Sequence, residues 1–382
     1  MNKEKILTIH NHKNFSGAAR SLGELIKSLE KKIEFIIICP RGSSSKYFKS
    51  LNIKVYETSL IPRFNHFEIG YYKGLRWLII LREFIAYINF FFFLLRSKSN
   101  FGTIKRLHLN ELELIINCPL LKFFFDCRIS SHLRCPLEVK HGKLRYVLIK
   151  QICKKYLDLI IAIDHDCFKT TPVKKITKIV YNGIRKKNLK IKKIINTKIT
   201  FGFVGNFIER KGIFLILKLF KKLQKETKIR LLCVGKRKQF FNILNIFRYE
   251  RNFDNYVKKN NIDMCKNIEI HPIKYDLSNF YSTIDIILFP SYMNAVGRPV
   301  IEAALSKKPS IIALKNYNND TARKGNCLVF DPGNIYSLEK KIQYFIKNKS
   351  KIKEYGNSAF RFAKKNFDIK KNSMKFYNLI RK

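Results

Sequence analysis

Acidic residues are scarce in this chain of 382 residues. Aspartates and glutamates number 28 against 76 lysines and arginines, which gives a formal net charge of +48. A surplus of this size suits contact with nucleic acid or with an anionic membrane surface. The lysines are spread along the whole chain, and no RNA-recognition signature, zinc finger or helix-turn-helix pattern accompanies them. We therefore prefer a membrane surface to specific nucleic acid, with compositional bias as the alternative explanation of the charge.

Cysteine pairs and a secretion signal are also missing. The nine cysteines form no C-x-x-C pair, which excludes a zinc knuckle and a thioredoxin-like motif. Their scatter favours reduced thiols, and MNKEKILTIHNH at residues 1–12 lacks the apolar segment of a signal peptide. The sequence contains no metal triad, Walker loop or nucleophilic serine elbow. We expect a cytoplasmic protein that works without a metal or a cofactor.

One stretch, WLIILREFIAYINFFFFLL at residues 77–95, has the length of a membrane span. Arg82, Glu83 and Asn89 interrupt it, and each charge near the centre of a span costs about 2.5–3.5 kcal/mol on the insertion scale. A span would also split the sheet predicted on either side of it. We expect a helix with a narrow polar stripe that either packs into the core or rests on a membrane surface.

Two α/β domains are predicted from the order of elements. Hydrophobic residues make up 46% and aromatic residues 13% of the chain, which argues against disorder, and the length is enough for two cores. Each half opens with a short apolar strand, a loop and a helix: Lys5–His10 precedes a helix from Gly17, and Thr200–Gly205 precedes the helix Ile213–Lys222. Strands and helices then alternate, which is typical of mostly parallel, doubly wound sheets.

A nucleotide site is predicted in IDIILFPSYMNAVGRPVIEAALS, residues 284–306. It begins as a buried strand, continues as a loop with Pro290 and Gly297, and enters a helix near Pro299. The carboxyl end of a parallel strand followed by a helix N-terminus favours a phosphate. Glu302, one turn into the helix, could accept hydrogen bonds from the two hydroxyls of a ribose, or it could face solvent and complement the helix dipole.

Two further loops contain candidate residues. The segment NFIERKG after the strand at 200–205 places Arg210 and Lys211 at a helix entrance, where they could neutralise a diphosphate or simply lie on a solvated loop. His132 and Arg134 lie where another predicted strand, at 126–132, comes to its end, the place where α/β folds put working side chains. A lone histidine is nevertheless more often structural than catalytic.

These motifs resemble the retaining GT-B glycosyltransferases of family 4, the glycosyl transferases group 1. The run PSYMNAVGRPVIEAALSKKP is similar to the family's donor signature of two glutamates around a G-x-P-x-x-E core: Gly297, Pro299 and Glu302 match, and Asn294 replaces the first glutamate. In the family the first acid contacts the transferred sugar and the second binds the ribose.

Other positions resemble the same family. The pattern G-x-x-x-x-x-K-G from Gly205 to Gly212 is similar to its pyrophosphate loop, with Asn206 in place of the usual arginine and Arg210 as a substitute. Gly17 resembles the N-terminal glycine loop, and His132 matches a histidine that lies near the sugar in related members.

The resemblance implies a GT-B fold, in which two Rossmann-like doubly wound domains face a cleft. It predicts an acceptor-side domain at residues 1–185, a linker at 186–198, a nucleotide-sugar domain at 199–364 and a C-terminal helix at 365–382 that packs back on the first domain. His132 and Asn294 are the predicted catalytic residues. The predicted donor-binding residues are Gly17, Gly205, Asn206, Arg210, Lys211, Val296, Gly297, Arg298 and Glu302.

The resemblance also implies an activity. It predicts metal-independent transfer of a sugar, with retention, from a UDP- or GDP-linked donor to a lipid-linked glycan acceptor in cell-surface polysaccharide or lipopolysaccharide biosynthesis. With the basic charge, it predicts a peripheral location on the inner face of the plasma membrane. A catalytically impaired GT-B module that binds a nucleotide or a partner is the alternative, because asparagine replaces the usual residue at 206 and 294. A non-specific nucleic-acid binder is the third possibility.

Overall fold

The chain folds into two compact units, which the computed structural model describes at residues 3–65, 78–139, 142–185, 198–237, 252–272, 276–292, 296–317 and 320–382. The first unit comprises Met1–Arg185 together with Asp368–Lys382, and the second comprises Lys186–Phe367. Residues 186–197, nearly all of the predicted linker, lie outside the described part of the chain.

The first unit contains a parallel sheet of seven strands in the order β3-β2-β1-β4-β5-β6-β7. Its strands are β1 (Glu4–Ile9), β2 (Ile33–Pro40), β3 (Lys54–Thr58), β4 (Arg106–Leu109), β5 (Arg128–Leu133), β6 (Leu159–Ala162) and β7 (Thr177–Ile179). The first six α-helices of this unit are α1 (Gly17–Leu29), α2 (Ser43–Ser50), α3 (Ile79–Phe101), α4 (Cys118–Phe124), α5 (Leu144–Tyr156) and α6 (His165–Thr170).

The second unit contains a parallel sheet of six strands in the order β10-β9-β8-β11-β12-β13. Its strands are β8 (Ile199–Asn206), β9 (Ile229–Lys236), β10 (Ile268–Pro272), β11 (Ile286–Phe289), β12 (Ser310–Ala313) and β13 (Cys327–Phe330). Its helices are α7 (Ile213–Lys222), α8 (Phe253–Lys259), α9 (Ser278–Thr283), α10 (Arg298–Leu305), α11 (Ile335–Lys347) and α12 (Lys349–Asn366).

Both sheets are doubly wound, so the predicted fold class is confirmed. In the first unit the chain starts in the central strand β1, adds β2 and β3 towards one edge, and then places β4 on the other side of β1. In the second unit β8 is the first strand, β9 and β10 follow towards one edge, and β11 lies on the other side of β8. The crevice between β1 and β4, and that between β8 and β11, are topological switch points, where ligands bind at the carboxyl ends of the strands.

The composition of the strands explains the burial of the sheets. Every residue of β2 except Glu34 is buried, as expected of a parallel strand covered by helices on both faces. Helix α1 contributes an apolar face that includes Leu22, Ile26 and Leu29, and the Ser16 side chain caps it by accepting a hydrogen bond from the Ala19 amide.

The last helix, α13 (Ile369–Arg381), completes the core of the first unit. The Asp368 side chain caps it by accepting from the Lys371 amide at 2.8 Å. Phe376 and Ile380 are buried in the same hydrophobic cluster as residues of α1, β1 and β2. The core of the first unit is therefore built from two distant parts of the sequence.

Helix α3 buries one face and exposes another that is also apolar. Phe90 and Leu94 are fully buried, whereas Phe84 is 61% exposed and Phe92 is 48% exposed. Glu83, which the sequence places with the polar stripe, lies instead on the buried face, where its carboxylate accepts a hydrogen bond from the Arg63 amide at 2.9 Å. No helix in the described ranges combines the length and the hydrophobicity needed to cross a bilayer.

Candidate functional site

The loop after β8 brings two cationic side chains to the switch point of the second sheet. The strand ends at Asn206, a short 3₁₀ turn spans Glu209–Lys211, and α7 begins at Ile213, as the sequence predicts. Gly212 between them has φ +73°, and a Cβ at this position would lie 2.1 Å from the Pro290 carbonyl oxygen. Only glycine allows this turn to approach the neighbouring loop so closely.

The loop after β11 is hydrogen-bonded to the loop after β8. The Tyr292 amide donates to the Arg210 carbonyl oxygen at 3.0 Å, and the Ser291 hydroxyl donates to the same oxygen at 3.3 Å. Together with the contact between Gly212 and Pro290, these bonds join the two loops into one surface. The segment that carries Arg210 and Lys211 is thus fixed to the segment that leads towards α10.

Helix α10 begins where the sequence predicts. Gly297 is its N-cap and Pro299 lies in its first turn, where the missing amide of proline costs nothing. The Phe289 ring lies within 2.6 Å of the position that a Cβ on Gly297 would take, so the loop packs closely on the end of β11. The N-terminus of this helix supplies partial positive charge at the carboxyl edge of the sheet.

The Glu302 carboxylate is held by two partners. It accepts a hydrogen bond from the Arg298 Nε at 2.7 Å and another from the Tyr281 hydroxyl at 2.7 Å. The side chains of Glu302 and Arg298 are 11% and 10% exposed. The alternative in which Glu302 faces solvent is therefore wrong, and the Arg298 guanidinium is engaged with this carboxylate.

The other predicted donor residues of the second unit lie around the same edge. Arg210 and Asn206 are exposed and Lys211 is half-buried. Gly205 packs tightly on the next strand, because a Cβ on Gly235 would lie 2.1 Å from the Gly205 carbonyl oxygen. Val296 packs against the buried cluster that includes Phe289, and Asn294 lies outside the described residues.

The structure therefore brings eight predicted residues together in one unit. They are Gly205, Asn206, Arg210, Lys211, Val296, Gly297, Arg298 and Glu302. Tyr281 is a participant that the sequence analysis missed. Its contact with Glu302 depends on how α9 and α10 pack, and no local pattern indicates it.

Gly17 and His132 belong to the first unit. Gly17 is the first residue of α1, and a Cβ there would meet no atom within 4 Å, so packing does not require glycine. The His132 ring is 4% exposed. It shares a 2.7 Å hydrogen bond with the His108 ring through Nδ1 and stacks on Phe376 with ring centroids 5.7 Å apart.

The electrostatic environment keeps His132 neutral. Burial, reinforced by the charge of Arg134 and by His108, lowers the pKa of His132 well below its usual value. The ring can therefore donate or accept a hydrogen bond without changing charge near neutral pH. Its predicted contact with a sugar stays a prediction, as does the role of Gly17.

Metal ligands do not cluster in the part of the chain that the structure describes. No group of three or more histidine, cysteine, aspartate or glutamate side chains there is arranged to hold an ion.

Comparison with known proteins gives three kinds of similarity. Residues 184–362 match the family model described as glycosyl transferases group 1. The capsular polysaccharide biosynthesis glycosyltransferase CapM of Staphylococcus aureus is 23% identical over 172 residues, which covers 44% of this chain and 42% of that relative. The match thus spans less than half of the curated relative's length.

Solved structures resemble the whole chain. HepE of Anabaena in complex with UDP-glucose has a TM-score of 0.75 at 15% identity and covers 98% of both chains. A glycosyltransferase from Rickettsia africae has a TM-score of 0.71 at 17% identity, covering 100% of this chain and 98% of that one. TarM of S. aureus has a TM-score of 0.69 at 11% identity, covering 99% of this chain and all of that one. At these identities the likeness establishes the two-domain GT-B fold.

Proposed function

We propose that this chain, which belongs to the group 1 glycosyl transferases through residues 184–362, transfers a sugar from a nucleotide-linked donor to a glycan acceptor. The observation that carries the proposal is the joining of two loops at the second switch point by the bonds from Tyr292 and Ser291 to Arg210. One loop bears Lys211 and the other leads to Glu302. A nucleoside diphosphate needs both elements, since its phosphates require cations and its ribose requires an acceptor of hydrogen bonds.

The binding roles follow from the chemistry of these groups. Lys211, Arg210 and the amides at 296–298 bind the diphosphate, with Gly205 and Asn206 forming the floor of the loop. Glu302 accepts hydrogen bonds from the ribose hydroxyls, and Arg298 and Tyr281 hold its carboxylate in place. UDP-glucose in the structurally similar HepE supports a UDP-sugar as the donor. No additional cofactor enters this proposal.

The same groups supply catalysis. Departure of the nucleoside diphosphate builds negative charge on the leaving phosphate, and fixed cations with a helix N-terminus stabilise that charge most in the transition state. Such a site needs no metal. We propose retention through attack on the same face as the leaving group, with no covalent protein nucleophile. Asn294 hydrogen-bonds a hydroxyl of the sugar, and His132 stays the proposed catalytic residue of the first unit.

Substitution of Lys211 tests this function. Lys211→Ala should lower the transfer rate about 10²–10³-fold, because it removes about 2–4 kcal/mol of transition-state stabilisation. Lys218→Ala is the matched control, since Lys218 is an exposed residue of α7. The donor is identified first by thermal stabilisation with UDP- and GDP-sugars, for which a ligand at 100 times its Kd contributes about 2.7 kcal/mol. Equal turnover of both variants would remove the diphosphate assignment.

Incubation of the wild-type protein with its donor separates active enzyme from impaired module. The exposed Asn206, at the end of β8 where the family usually has arginine, is the observation behind that second candidate. Donor binding without transfer or hydrolysis would favour the impaired module, and salt-sensitive binding to random DNA without any donor effect would favour a nucleic-acid binder.

We further propose a lipid-linked acceptor, because one side of the first unit exposes many large apolar side chains. Helices α3, α4 and α5 cover the same hydrophobic cluster, and outside it they form what we call the apolar helix surface. This surface consists of Leu78, Ile80, Leu81, Phe84, Ile85, Ile88, Phe92, Leu95, Phe123, Leu144, Val147 and Leu148, all more than one third exposed.

The occupant of the apolar helix surface is an anionic lipid bilayer. Exposed cations that include Arg82, Arg96, Lys122 and Lys150 lie on the same three helices, and the chain as a whole carries +48. Apolar side chains beside basic ones are typical of helices that lie in the interface of anionic membranes. The protein would then act on the inner face of the plasma membrane, in assembly of a cell-surface polysaccharide, as the name of CapM supports.

Vesicle binding tests the membrane proposal. The triple variant F84Q/I88Q/F92Q should lose most of its binding to vesicles of phosphatidylglycerol and phosphatidylcholine. Met264→Gln is the control, because Met264 is 83% exposed but belongs to the second unit. Equal vesicle binding by the triple variant and the wild type would contradict a role for this surface.

A further inference from the structure

A basic cavity lies beside β2 and the edge strand β3 of the first sheet, and the nucleotide proposal above uses none of its residues. Its volume is about 650 Å³, which is within the range of about 300–1,000 Å³ that is usual for small-molecule sites. Four cations line it, Lys13, Arg41, Lys46 and Lys49, together with the anion Glu57. Four positive charges against one negative charge leave a formal surplus of +3 in the basic cavity.

Backbone contacts hold three chain segments together around the basic cavity. The Arg41 amide, just after β2, donates to the carbonyl oxygen of Thr58, the last residue of β3, at 3.1 Å. The Ser44 amide, in the first turn of α2, donates to the Lys13 carbonyl oxygen, also at 3.1 Å. A Cβ on Gly42 would lie only 2.5 Å from that same oxygen. The segments that carry the four cations are therefore fixed to one another before any ligand binds.

Only part of this positive charge is balanced within the protein. The Lys49 Nζ lies 3.0 Å from one oxygen of the Glu57 carboxylate, and the Arg41 Nε lies 4.0 Å from the other. Lys13 and Lys46 form no ion pair with any acidic side chain in the part of the chain that the structure describes. The basic cavity thus offers positive charge to an anion from outside the protein.

The kinds of cation in the basic cavity suit a phosphate group. The guanidinium of Arg41 can bind two phosphate oxygens side by side, and the lysine ammonium groups act as point charges around them. A phosphate monoester carries a charge of about −1.5 to −2 at pH 7. It therefore matches a surplus of +3 better than the single charge of a carboxylate does.

The basic cavity adjoins the apolar helix surface. Ser59 lines the cavity, and its hydroxyl donates to the Asn89 Oδ1 of α3 at 2.7 Å. Residues three or four apart on a helix are neighbours, so Asn89 adjoins Ile85 and Phe92, which belong to the apolar helix surface. A lipid whose chains contact this surface would have its headgroup close to the cavity.

We propose that the basic cavity binds the phosphate group of a membrane lipid, and this rests on the proposed contact of the apolar helix surface with a bilayer. Arg41 binds two of the phosphate oxygens, and Lys13 and Lys46 supply the charge that Glu57 does not balance. The lipid chains stay in the bilayer, against the apolar helix surface. A soluble phosphate compound presents the same charged group without the chains, so the two sources differ in what the apolar helix surface contributes.

Vesicle binding by the full chain tests the site. Phosphatidic acid, whose headgroup is a bare phosphate monoester, is compared with phosphatidylglycerol in phosphatidylcholine vesicles adjusted to equal zeta potential. The wild type should bind the phosphatidic acid vesicles more tightly. The triple variant K13Q/R41Q/K46Q should lose this preference and bind those vesicles about 10–100-fold more weakly, because three cations that contact the phosphate are gone.

Two further variants separate a local site from total charge. K174Q/K175Q/K178Q removes three exposed charges at and just before β7, on the opposite edge of the same sheet, and should keep the preference for phosphatidic acid. Glu57→Gln removes the negative charge of the basic cavity and should tighten binding to phosphatidic acid. A variant that merely lost structure would change binding in the opposite direction.

Glycerol 3-phosphate, the soluble part of phosphatidic acid, identifies the source of the phosphate. It should raise the Tm of the wild type and leave that of K13Q/R41Q/K46Q unchanged. If it does so while the wild type shows no preference between the two kinds of vesicle, the site binds a free phosphate compound and the lipid assignment is overturned.

Two other results would contradict the site itself. If K13Q/R41Q/K46Q and K174Q/K175Q/K178Q bind phosphatidic acid vesicles equally, the basic cavity has no specific role. The membrane proposal would still stand in that case if F84Q/I88Q/F92Q loses vesicle binding. If the wild type binds neither kind of vesicle, the membrane proposal fails and the inference fails with it.

Discussion

Loss of the Arg298 side chain should weaken both the second unit and its donor site. The guanidinium donates to the Glu302 carboxylate at 2.7 Å, in a pair that is about nine-tenths buried. A hydrogen bond to a charged group contributes about 1.5–3 kcal/mol, and breaking a buried pair costs more than its net contribution, since the remaining charge is left uncompensated. The Tyr281 hydroxyl still donates to Glu302, so we expect Arg298→Ala to cost about 2–3 kcal/mol.

Thermal unfolding and donor binding measure this effect. A loss of 1 kcal/mol lowers Tm by about 2–4 °C in a domain of 150–250 residues, so the expected fall is about 4–12 °C. Donor affinity should fall as well, because the carboxylate is no longer held for the ribose. Lys351→Ala breaks a pair with Glu354 of the same 2.7 Å length on the surface of α12, and because solvent screens that pair, this control should change neither quantity.

A double-mutant cycle decides whether the pair acts as a unit. The double variant R298A/E302A should be less destabilised than the sum of its two single variants, with a coupling of about 0.5–3 kcal/mol. Additive losses, or an Arg298→Ala variant with wild-type Tm and donor affinity, would refute the reasoning. Glu302 would then have no reason to be held inside the loop surface, and its assignment to the ribose would lose its support.

Two further outcomes follow from the structure. Gly212→Ala should abolish donor-induced stabilisation and lower Tm, because the added Cβ would collide with the Pro290 carbonyl oxygen. Gly325→Ala is the control, since Gly325 has φ +86° but open space around it. If both variants lowered Tm equally, the positive φ would explain the loss and the contact with Pro290 would not. Thiol titration of the native protein should find one reactive group, the half-buried Cys135, because the other eight cysteines are buried. Burial also raises the pKa of thiols such as Cys153 to about 12. Rapid reaction of several thiols with the reagent would contradict this packing.

The sequence predicts best what depends on neighbours along the chain. The helix at Ile213–Lys222 has the bounds expected from its apolar spacing and from Gly212 before it. The turn into α10 follows from Gly297 and Pro299. Local patterns also predict the doubly wound class of both units, because parallel strands buried on two faces are continuously apolar.

Contacts between distant residues could not be predicted in this way. Ser59 and Asn89 are 30 positions apart, and Tyr281 meets Glu302 only through the packing of their helices. Strand β3 was missed because KVYET is exposed or half-buried over four of its five residues, which leaves little apolar pattern. His132 has the expected place at a strand end, yet its burial depends on Phe376, which comes from the far end of the sequence.

The divided origin of the first unit has a consequence for how the chain is made. Residues 186–367 form one uninterrupted module, which has all of its own sequence as soon as it leaves the ribosome. The first unit must wait longer, because Phe376 and Ile380 fill its hydrophobic interior and are translated after the second unit. Until then the pocket that they occupy is open to water. In a nascent chain, the second unit can therefore fold while the hydrophobic core of the first unit is still incomplete.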